Sequence, residues 1–153
     1  MSGTQRVLLG LCFEDVDLGM EETFTKTVTA EDIDLFATVS GDYNPFHMDE
    51  AFAASTAFGG RIAHGLLVAS YFSTILGTKL PGPGSVYVSQ SLKFRAPVHI
   101  GDTVIARARV VSKNDEKFRV TLECEGTVNG ESVLDGEAVV RIPSRAERAA
   151  KGA

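Results

Sequence analysis

Residues 66–76 read Leu-Leu-Val-Ala-Ser-Tyr-Phe-Ser-Thr-Ile-Leu, and this stretch decides the fold. Apolar side chains occur at nearly every position around a helical turn, which predicts a helix buried in a core rather than one lying on a surface. Gly65 precedes the stretch, and the Pro-Gly-Pro-Gly run of residues 81–84 ends the helical region after it. A helix that is apolar on so many sides needs other segments to cover it.

The chain beyond residue 85 changes to a period of two, which is typical of strands with one buried face. Alternating apolar and polar side chains occupy the segments 86–94, 103–111, 118–128 and 132–142. Asn129-Gly130 fits the tight turn of a hairpin, and a further short strand is predicted over 22–28. The predicted class is therefore α+β, with a curved antiparallel sheet wrapped around the central apolar helix.

The segment between the first predicted strand and the central helix predicts two short helices and a sharp turn. Thr29 is a good N-cap, and apolar residues follow it at helical spacing until Gly41 ends the helix. Pro45 disfavours the helical conformation at Asn44, so the chain is expected to turn there. Asp49 is placed to cap the second helix.

Asp42 and His47 flank this turn, which can bring a carboxylate and an imidazole together near the start of the central helix. Such a pair can hold one water and move protons, because an imidazole titrates near neutral pH. Two other interpretations stay open. Asp42 can simply cap the turn while His47 is a satisfied polar residue, or the pair can join Asp49 in a metal site. A metal is not predicted, because no second histidine stands at ligand spacing.

Gly65 stands where the central helix begins, so its backbone N–H points outward at the positive end of the helix dipole. Without a side chain there, a ligand carbonyl can approach this N–H closely, as in an oxyanion hole. The alternative is a tight junction between loop and helix. His64 is interpreted as a structural histidine and His99 as a solvent-facing one. The Ser73 hydroxyl can either bond back to the preceding turn or support the acid–imidazole pair.

Composition narrows the class of protein. A chain of 153 residues suits one domain, predicted here over 15–142, with a lead-in over 1–14 and a flexible tail over 143–153. The net charge of −5 and the lack of a Lys/Arg cluster argue against nucleic-acid binding. No apolar run approaches the roughly 20 residues that span a bilayer, so no membrane partner is predicted. Cys12 and Cys124 lack the spacing of metal ligands or of a disulfide framework, and we expect a cytoplasmic protein in which Cys124 is buried.

Several stretches resemble the MaoC-like family. Residues 39–49 read Val-Ser-Gly-Asp-Tyr-Asn-Pro-Phe-His-Met-Asp, which resembles the hydratase motif of that family. Residues 61–70, 80–85 and 91–94 match as well. Within the family, the likeness is greatest to the short (R)-specific enoyl-CoA hydratases of the hot-dog fold, and it extends over roughly residues 15–142.

The resemblance implies roles for individual residues. Asp42 and His47 would be the catalytic pair, and Gly65 would supply the oxyanion N–H. Asn44 would shape the loop, and Ser73 would belong to the hydrogen-bond network that supports the pair. The implied reaction is reversible syn addition of water to trans-2-enoyl-CoA, giving (R)-3-hydroxyacyl-CoA. One group of the pair would take a proton from water and the other would deliver a proton to C2.

The resemblance also implies that no metal, flavin or nucleotide cofactor is needed, and that two chains form a homodimer whose sheets join edge to edge. It associates the chain with fatty-acid metabolism and with polyhydroxyalkanoate precursors. A hot-dog thioesterase and a non-catalytic acyl-CoA-binding module stay open as alternatives, although the Asn-Pro-x-His turn argues against a thioesterase. An acyl carrier protein stays open as the substrate carrier, but the lack of a basic patch favours coenzyme A.

Two further groups of residues are candidates for substrate contact. Apolar residues near the central helix are expected to line the acyl pocket, and these are Phe46, Phe52, Phe58, Leu66 and Tyr87. Cations are expected to contact the phosphates of coenzyme A, and the candidates are Arg61, Lys79, Lys93 and Arg95. The alternative for each of these residues is an ordinary surface charge with no role in binding.

Overall fold

A computed structural model describes residues 8–152 of the chain. The strands are β1 (Glu21–Thr27), β2 (Val86–Gln90), β3 (Lys93–Phe94), β4 (Thr103–Asn114), β5 (Arg119–Val128) and β6 (Glu131–Arg141). The helices are α1 (Ala30–Ser40), α2 (Pro45–Met48), α3 (Glu50–Ala54), α4 (Gly65–Thr78) and α5 (Arg145–Lys151). A short 3-10 turn, Phe13–Asp15, precedes β1.

The strands form a 6-stranded antiparallel sheet in the order β1-β4-β5-β6-β2, and β3 also pairs with β6. The predicted α+β class and antiparallel sheet are confirmed. Asn129 and Gly130 form the turn between β5 and β6, and their φ angles of 50° and 80° are those that such a hairpin requires.

One predicted strand, 86–94, is divided into β2 and β3. The pairing of β2 with β6 shifts register once, and the ladder is interrupted again before β3 begins. At the interruption the carbonyl of Ser91 lies so close to Gly136 that a Cβ on Gly136 would be 1.8 Å from the oxygen. This approach depends on a glycine in the neighbouring strand, so the alternation within 86–94 carried no sign of it.

Helix α4 is the central helix that the sequence predicts. It contacts β1, β2, β4 and β5. Its buried side chains are Val68, Tyr71, Phe72, Ile75 and Leu76. They share one apolar cluster with inward-facing side chains of the sheet, including Ala108, Leu122 and Val140. Cys124 on β5 is a buried free thiol, as predicted.

Local sequence signals set the boundaries of α1, α2 and α3. The Thr29 hydroxyl accepts a hydrogen bond from the Asp32 N–H at the start of α1, and Gly41 ends that helix with a φ of 81°. Asn44 caps α2 by accepting from the Phe46 N–H, and Asp49 caps α3. The predicted caps at Thr29 and Asp49 are confirmed, whereas α2 and its cap at Asn44 were not predicted. Together these caps fix the turn between α1 and α2.

The C-terminal segment differs from the flexible tail predicted over 143–153. It contains α5, which begins at a capping box formed by Ser144 and Glu147. The Arg148 guanidinium donates hydrogen bonds to the carbonyls of Gly10 and Leu11, so the two ends of the described chain are joined. The first half of the predicted lead-in, residues 1–7, lies outside the described residues. Among residues 8–152, no helix is both long enough and apolar enough to cross a membrane.

Candidate active site

A cavity of about 730 Å³ opens where α1 and the segment after it meet the start of α4. We call residues 41–65, which connect α1 to α4 and include α2 and α3, the site loop. Asp42, His47 and His64 reach the cavity from the site loop, as does Gly65 at its end. The other lining residues are mostly apolar and include Phe36, Leu66, Val68, Phe94, Val133 and Leu134. The cavity therefore has one polar wall within an apolar enclosure.

The protonation of the His47 ring follows from its hydrogen bond. Its Nδ1 lies 2.8 Å from the carbonyl oxygen of Ile62. A carbonyl can only accept, so Nδ1 carries the hydrogen, and Nε2 of the neutral ring is left with a free lone pair. Partial burial of the ring lowers the pKa of His47 below its ordinary value of 6.5, and this outweighs the effect of the Ile62 carbonyl, which raises it. The ring is therefore neutral at physiological pH and can accept a proton at Nε2.

Asp42 is exposed on the side of the cavity open to solvent. Its Oδ1 accepts a hydrogen bond of 3.1 Å from the Asn44 N–H, and its own N–H donates to the Ser40 hydroxyl at 3.2 Å. These bonds within a few residues fix the carboxylate against the turn. An ionised carboxylate only accepts hydrogen bonds, so Asp42 and His47 Nε2 present two acceptors to the same space.

His64 is a site residue that sequence interpretation assigned to structure alone. It is 2% exposed, and its ring stacks on the His47 ring with the centroids 3.9 Å apart and the planes 27° from parallel. Its Nε2 lies 2.9 Å from the carbonyl oxygen of Asp42, so this nitrogen donates and holds the Asp42 backbone in place. The signal for its role was its position next to Gly65, at the start of the central helix. This position alone did not show that His64 packs against His47 and Asp42, which only the folded structure reveals.

The three side chains also raise the question of a metal ion. One potential ligand atom from each of Asp42, His47 and His64 lies within 4.8 Å of the others. The His47 Nδ1 and the His64 Nε2 both face backbone carbonyls, so each of these nitrogens carries a hydrogen and cannot bind a metal. The two ring planes are 27° from parallel and stacked, so the lone pairs that remain lie in separate planes. Asp49, the third ligand in the metal interpretation, accepts instead from the Phe52 N–H at 2.9 Å. The arrangement suits a hydrogen-bonded water better than a cation.

Gly65 is the first residue of α4 and lines the cavity. A Cβ on this glycine would lie 2.5 Å from Cε1 of Phe94, which is closer than side chains approach one another. Phe94 is 57% exposed, so its ring forms the rim of the cavity above the helix N-terminus. A side chain at this position would therefore displace the Phe94 ring or the start of α4, so glycine is the residue that fits without rearrangement.

The structure brings some of the other predicted residues to the site and not others. Leu66 and Phe58 line the cavity, whereas Phe46 and Phe52 pack in an aromatic cluster with Phe58 and do not line it. The Tyr87 hydroxyl donates to Gln90 within β2, also away from the cavity. Ser73 lies on the exposed face of α4, apart from Asp42 and His47.

The four residues predicted to contact the phosphates of coenzyme A make different contacts in the structure. The Arg61 side chain contacts Asp34 and the His47 carbonyl, and Lys79 donates to the carbonyl of Thr23. Arg95 pairs with Asp135 and also lines the cavity. Lys93 is exposed on β3, the strand that carries Phe94. Of the four predicted phosphate ligands, Arg95 alone lines the cavity, and Lys93 is exposed outside it.

The fold and the site together define a hot-dog protein with a paired acid and imidazole beside an apolar cavity. Residues 16–132 match the family model described as MaoC like domain, and the chain belongs to this family. The predicted family and hot-dog fold are thereby confirmed.

Named relatives in the family are similar over most of their length. The chain is 50% identical over 137 residues to a 3-hydroxybutyryl-CoA dehydratase of Methylorubrum extorquens, which is 90% of this chain and 87% of that one. It is 50% identical over 133 residues to an (R)-specific enoyl-CoA hydratase of Rhodospirillum rubrum, with 87% and 92% covered. A solved (R)-hydratase from A. caviae, described as involved in PHA biosynthesis, has a TM-score of 0.83 and 42% identity, over 85% of this chain and 99% of that one.

Proposed function

We propose that the chain is an (R)-specific enoyl-CoA hydratase, which adds water reversibly to trans-2-enoyl-CoA. The observation that carries the proposal is the placement of two hydrogen-bond acceptors, Asp42 and His47 Nε2, beside the N-terminus of α4 in one apolar cavity. Two acceptors that each take a hydrogen bond of about 2.8 Å from one water lie roughly 4.5 Å apart. One ring nitrogen of His47 and one carboxylate oxygen of Asp42 lie within 4.8 Å of each other, so the two side chains are close enough to share a water.

The proposed reaction uses this water directly. The thioester carbonyl accepts a hydrogen bond from the Gly65 N–H, which stabilises the enolate as it forms. The water held by Asp42 and His47 loses a proton to the pair while its oxygen forms a bond to C3. The pair then gives one proton to C2 on the same face, and both groups return to their starting protonation states. The product is (R)-3-hydroxyacyl-CoA, and dehydration follows the reverse path.

The apolar lining of the cavity suits the acyl chain of the proposed thioester substrate. Its apolar lining includes Leu66, Phe94 and Leu134, which would surround hydrocarbon beyond the reacting carbons. Arg95 lines the cavity, so it is the cation best placed to meet phosphates, and the exposed Lys93 lies two residues before it on the chain. We therefore propose coenzyme A as the carrier of the acyl chain. A role in supplying polyhydroxyalkanoate precursors would fit this chemistry.

We further propose that two chains associate through β2. This strand ends the sheet, and its apolar residues Val86, Tyr87 and Val88 are all exposed in the single chain. A second copy paired at β2 would satisfy the free strand edge. Light scattering of the purified protein should give twice the mass of the chain, and a monomeric mass would contradict the proposal.

No cofactor is assigned to the reaction, because addition of water changes no oxidation state overall and the Gly65 N–H polarises the carbonyl. Dialysis against a chelator should leave the hydration rate unchanged, and a loss restored by a divalent cation would contradict this. A cytoplasmic location agrees with the free thiols of Cys12 and Cys124.

The test of the function is hydration of crotonyl-CoA, followed by the loss of enoyl absorbance. The wild type is compared with Asp42→Asn and His47→Gln, which nearly preserve side-chain size, and with Asp115→Asn in the turn after β4 as a matched control. We expect rapid hydration by the wild type and the control only. Release of free thiol would indicate a thioesterase, and saturable binding without turnover would indicate a binding module. Either result would replace the proposal.

A further inference from the structure

We infer that Arg61 is a positioning residue for His47, an inference that rests on the proposed hydratase function. The Arg61 side chain is 14% exposed, and its Nη2 lies 2.7 Å from the Asp34 carboxylate on α1. Its Nε–H donates a hydrogen bond to the backbone carbonyl of His47. One guanidinium therefore joins the helix before the site loop to the residue that carries the imidazole.

Helix α2 needs such a contact because of its length. It spans Pro45–Met48, about one turn, and a helix this short is not stable by itself. The last carbonyls of any helix lack partners within it, so they require donors from elsewhere. The carbonyl of Pro45 accepts from the Asp49 N–H, and that of His47 accepts from Arg61. Arg61 thus completes the hydrogen bonding of the turn on which the imidazole stands.

The residue after Arg61 holds the same turn from a second direction. The Ile62 carbonyl accepts the Nδ1–H of His47, and the Ile62 N–H donates to the carbonyl of Phe46 at 3.2 Å. Displacement of Arg61 would therefore move the backbone of His47 and also the partner of its ring. Shifts of about 1 Å at a reacting group can cost roughly a hundredfold in rate.

The same residue was a sequence-based candidate for contact with a coenzyme A phosphate. The geometry favours the positioning role, because the Arg61 side chain is only 14% exposed and is not part of the cavity lining. Arg95 is also paired with an aspartate, but it is 49% exposed and lines the cavity. A phosphate ligand contributes to substrate binding, whereas a residue that positions His47 contributes to the rate of the bound complex. Loss of a phosphate ligand should therefore raise KM and leave kcat unchanged, whereas loss of a positioning residue should lower kcat and leave KM unchanged.

The experiment measures kcat and KM for crotonyl-CoA in wild type, Arg61→Gln, Arg61→Lys and Asp34→Asn, with thermal unfolding of each. Lys117→Gln, in the turn after β4, is the matched loss of one positive charge. We expect Arg61→Gln to lower kcat roughly 10- to 100-fold with KM within about twofold of wild type. Arg61→Lys should recover part of this loss, because a lysine keeps the charge but not the fork of donors. Asp34→Asn should lower kcat less, again without a change in KM.

The opposite pattern would overturn the inference. A rise in KM with kcat unchanged in Arg61→Gln would assign Arg61 to the phosphate, and Asp34→Asn would then leave kcat intact. Equal kcat values in all variants would also overturn it. If Arg61→Gln unfolds, Arg61→Lys and Asp34→Asn decide the matter by their kcat values. Failure of the wild type to turn over crotonyl-CoA would instead contradict the proposed function, so the two failures are distinguishable.

Discussion

The site loop and the strands β4–β6 are held together by different forces. In the site loop, polar side chains bond to backbone carbonyls of the same loop, as His47 does to Ile62 and His64 does to Asp42. In β4–β6, buried apolar residues alternate with outward-facing ones, and Leu122 and Cys124 are completely buried. Burial of apolar surface is the larger source of stability, whereas hydrogen bonds fix direction. The strands should therefore determine the stability of the protein, and the site loop should determine the rate of the reaction.

The largest expected effect separates activity from stability within the site loop. Asp42→Asn and His47→Gln should each lower kcat for crotonyl-CoA by roughly 10²- to 10⁴-fold, because each replaces a group that can take a proton from the water with an amide that cannot. Thermal unfolding should change little, since Asp42 is exposed and His47 is only partly buried. A variant that keeps wild-type activity, or one that loses activity only because it unfolds, would contradict the assignment of the rate to the site loop and of stability to the strands.

The converse change lies in the sheet. Leu122→Ala should lower the free energy of unfolding by about 2–5 kcal/mol, because it opens a cavity in the core that α4 shares with β5. The rate per folded molecule should stay near that of wild type. Denaturant titration alongside the hydration assay checks both statements. Thr121→Ala, its neighbour pointing the other way, should cost at most about 1 kcal/mol. Equal costs for the two variants would contradict the assigned core.

A smaller effect is expected at the boundary between the two regions. Gly65→Ala places a methyl group 2.5 Å from Cε1 of Phe94, so the ring or the helix start must move. We expect a loss of kcat of roughly 10- to 100-fold. Adding Phe94→Leu should recover part of the activity, because the overlap is relieved while the Gly65 N–H is retained. Measurement of both single variants and the double variant reveals this coupling, and purely additive losses would exclude the contact as the cause.

The smallest effect concerns pH. Only the neutral His47 ring can accept a hydrogen bond at Nε2, and burial lowers the pKa of this ring below 6.5. Activity should therefore persist as the pH falls through 6.5 and decline only below it. Because the folded-state pKa is the lower one, the unfolded chain binds the proton more readily, and His47 also reduces stability at acidic pH. A profile of kcat/KM against pH checks this, and an acidic inflection at or above 6.5 would contradict it.

The sheet and its central helix could be predicted from the sequence because their signals are local and repeated. The alternation along β4–β6, the apolar run in α4 and the caps at Thr29 and Asp49 each reflect the environment of their own residues. The break between β2 and β3 could not be predicted, since it depends on Gly136 in another strand. The capped helix α5 was missed because the signal of Ser144 and Glu147 was outweighed by a composition typical of solvated tails.

The site was predictable to the extent that the motif lies in one short stretch. The predicted residues Asp42, His47 and Gly65 all line one cavity, and their catalytic roles stay predictions. His64 was expected to be structural, and its hydrogen bond to the Asp42 carbonyl agrees with that. Its stacking on His47 could not be predicted, because only the fold brings the two rings together. The positioning role of Arg61 could not be predicted from the sequence for the same reason. Arg61 contacts both Asp34 and His47 only once α1 and the site loop have packed together.

The most direct test is hydration of crotonyl-CoA in deuterium oxide, with NMR for the relative configuration at C2 and C3 and chiral chromatography for the absolute configuration at C3. One pair of groups, Asp42 and His47, lies on one side of the cavity, so oxygen and deuterium should reach the same face of the double bond. The account predicts a single diastereomer, that of syn addition, with the (R) configuration at C3. An anti product, a mixture of diastereomers at C2 or the (S) configuration at C3 would contradict it.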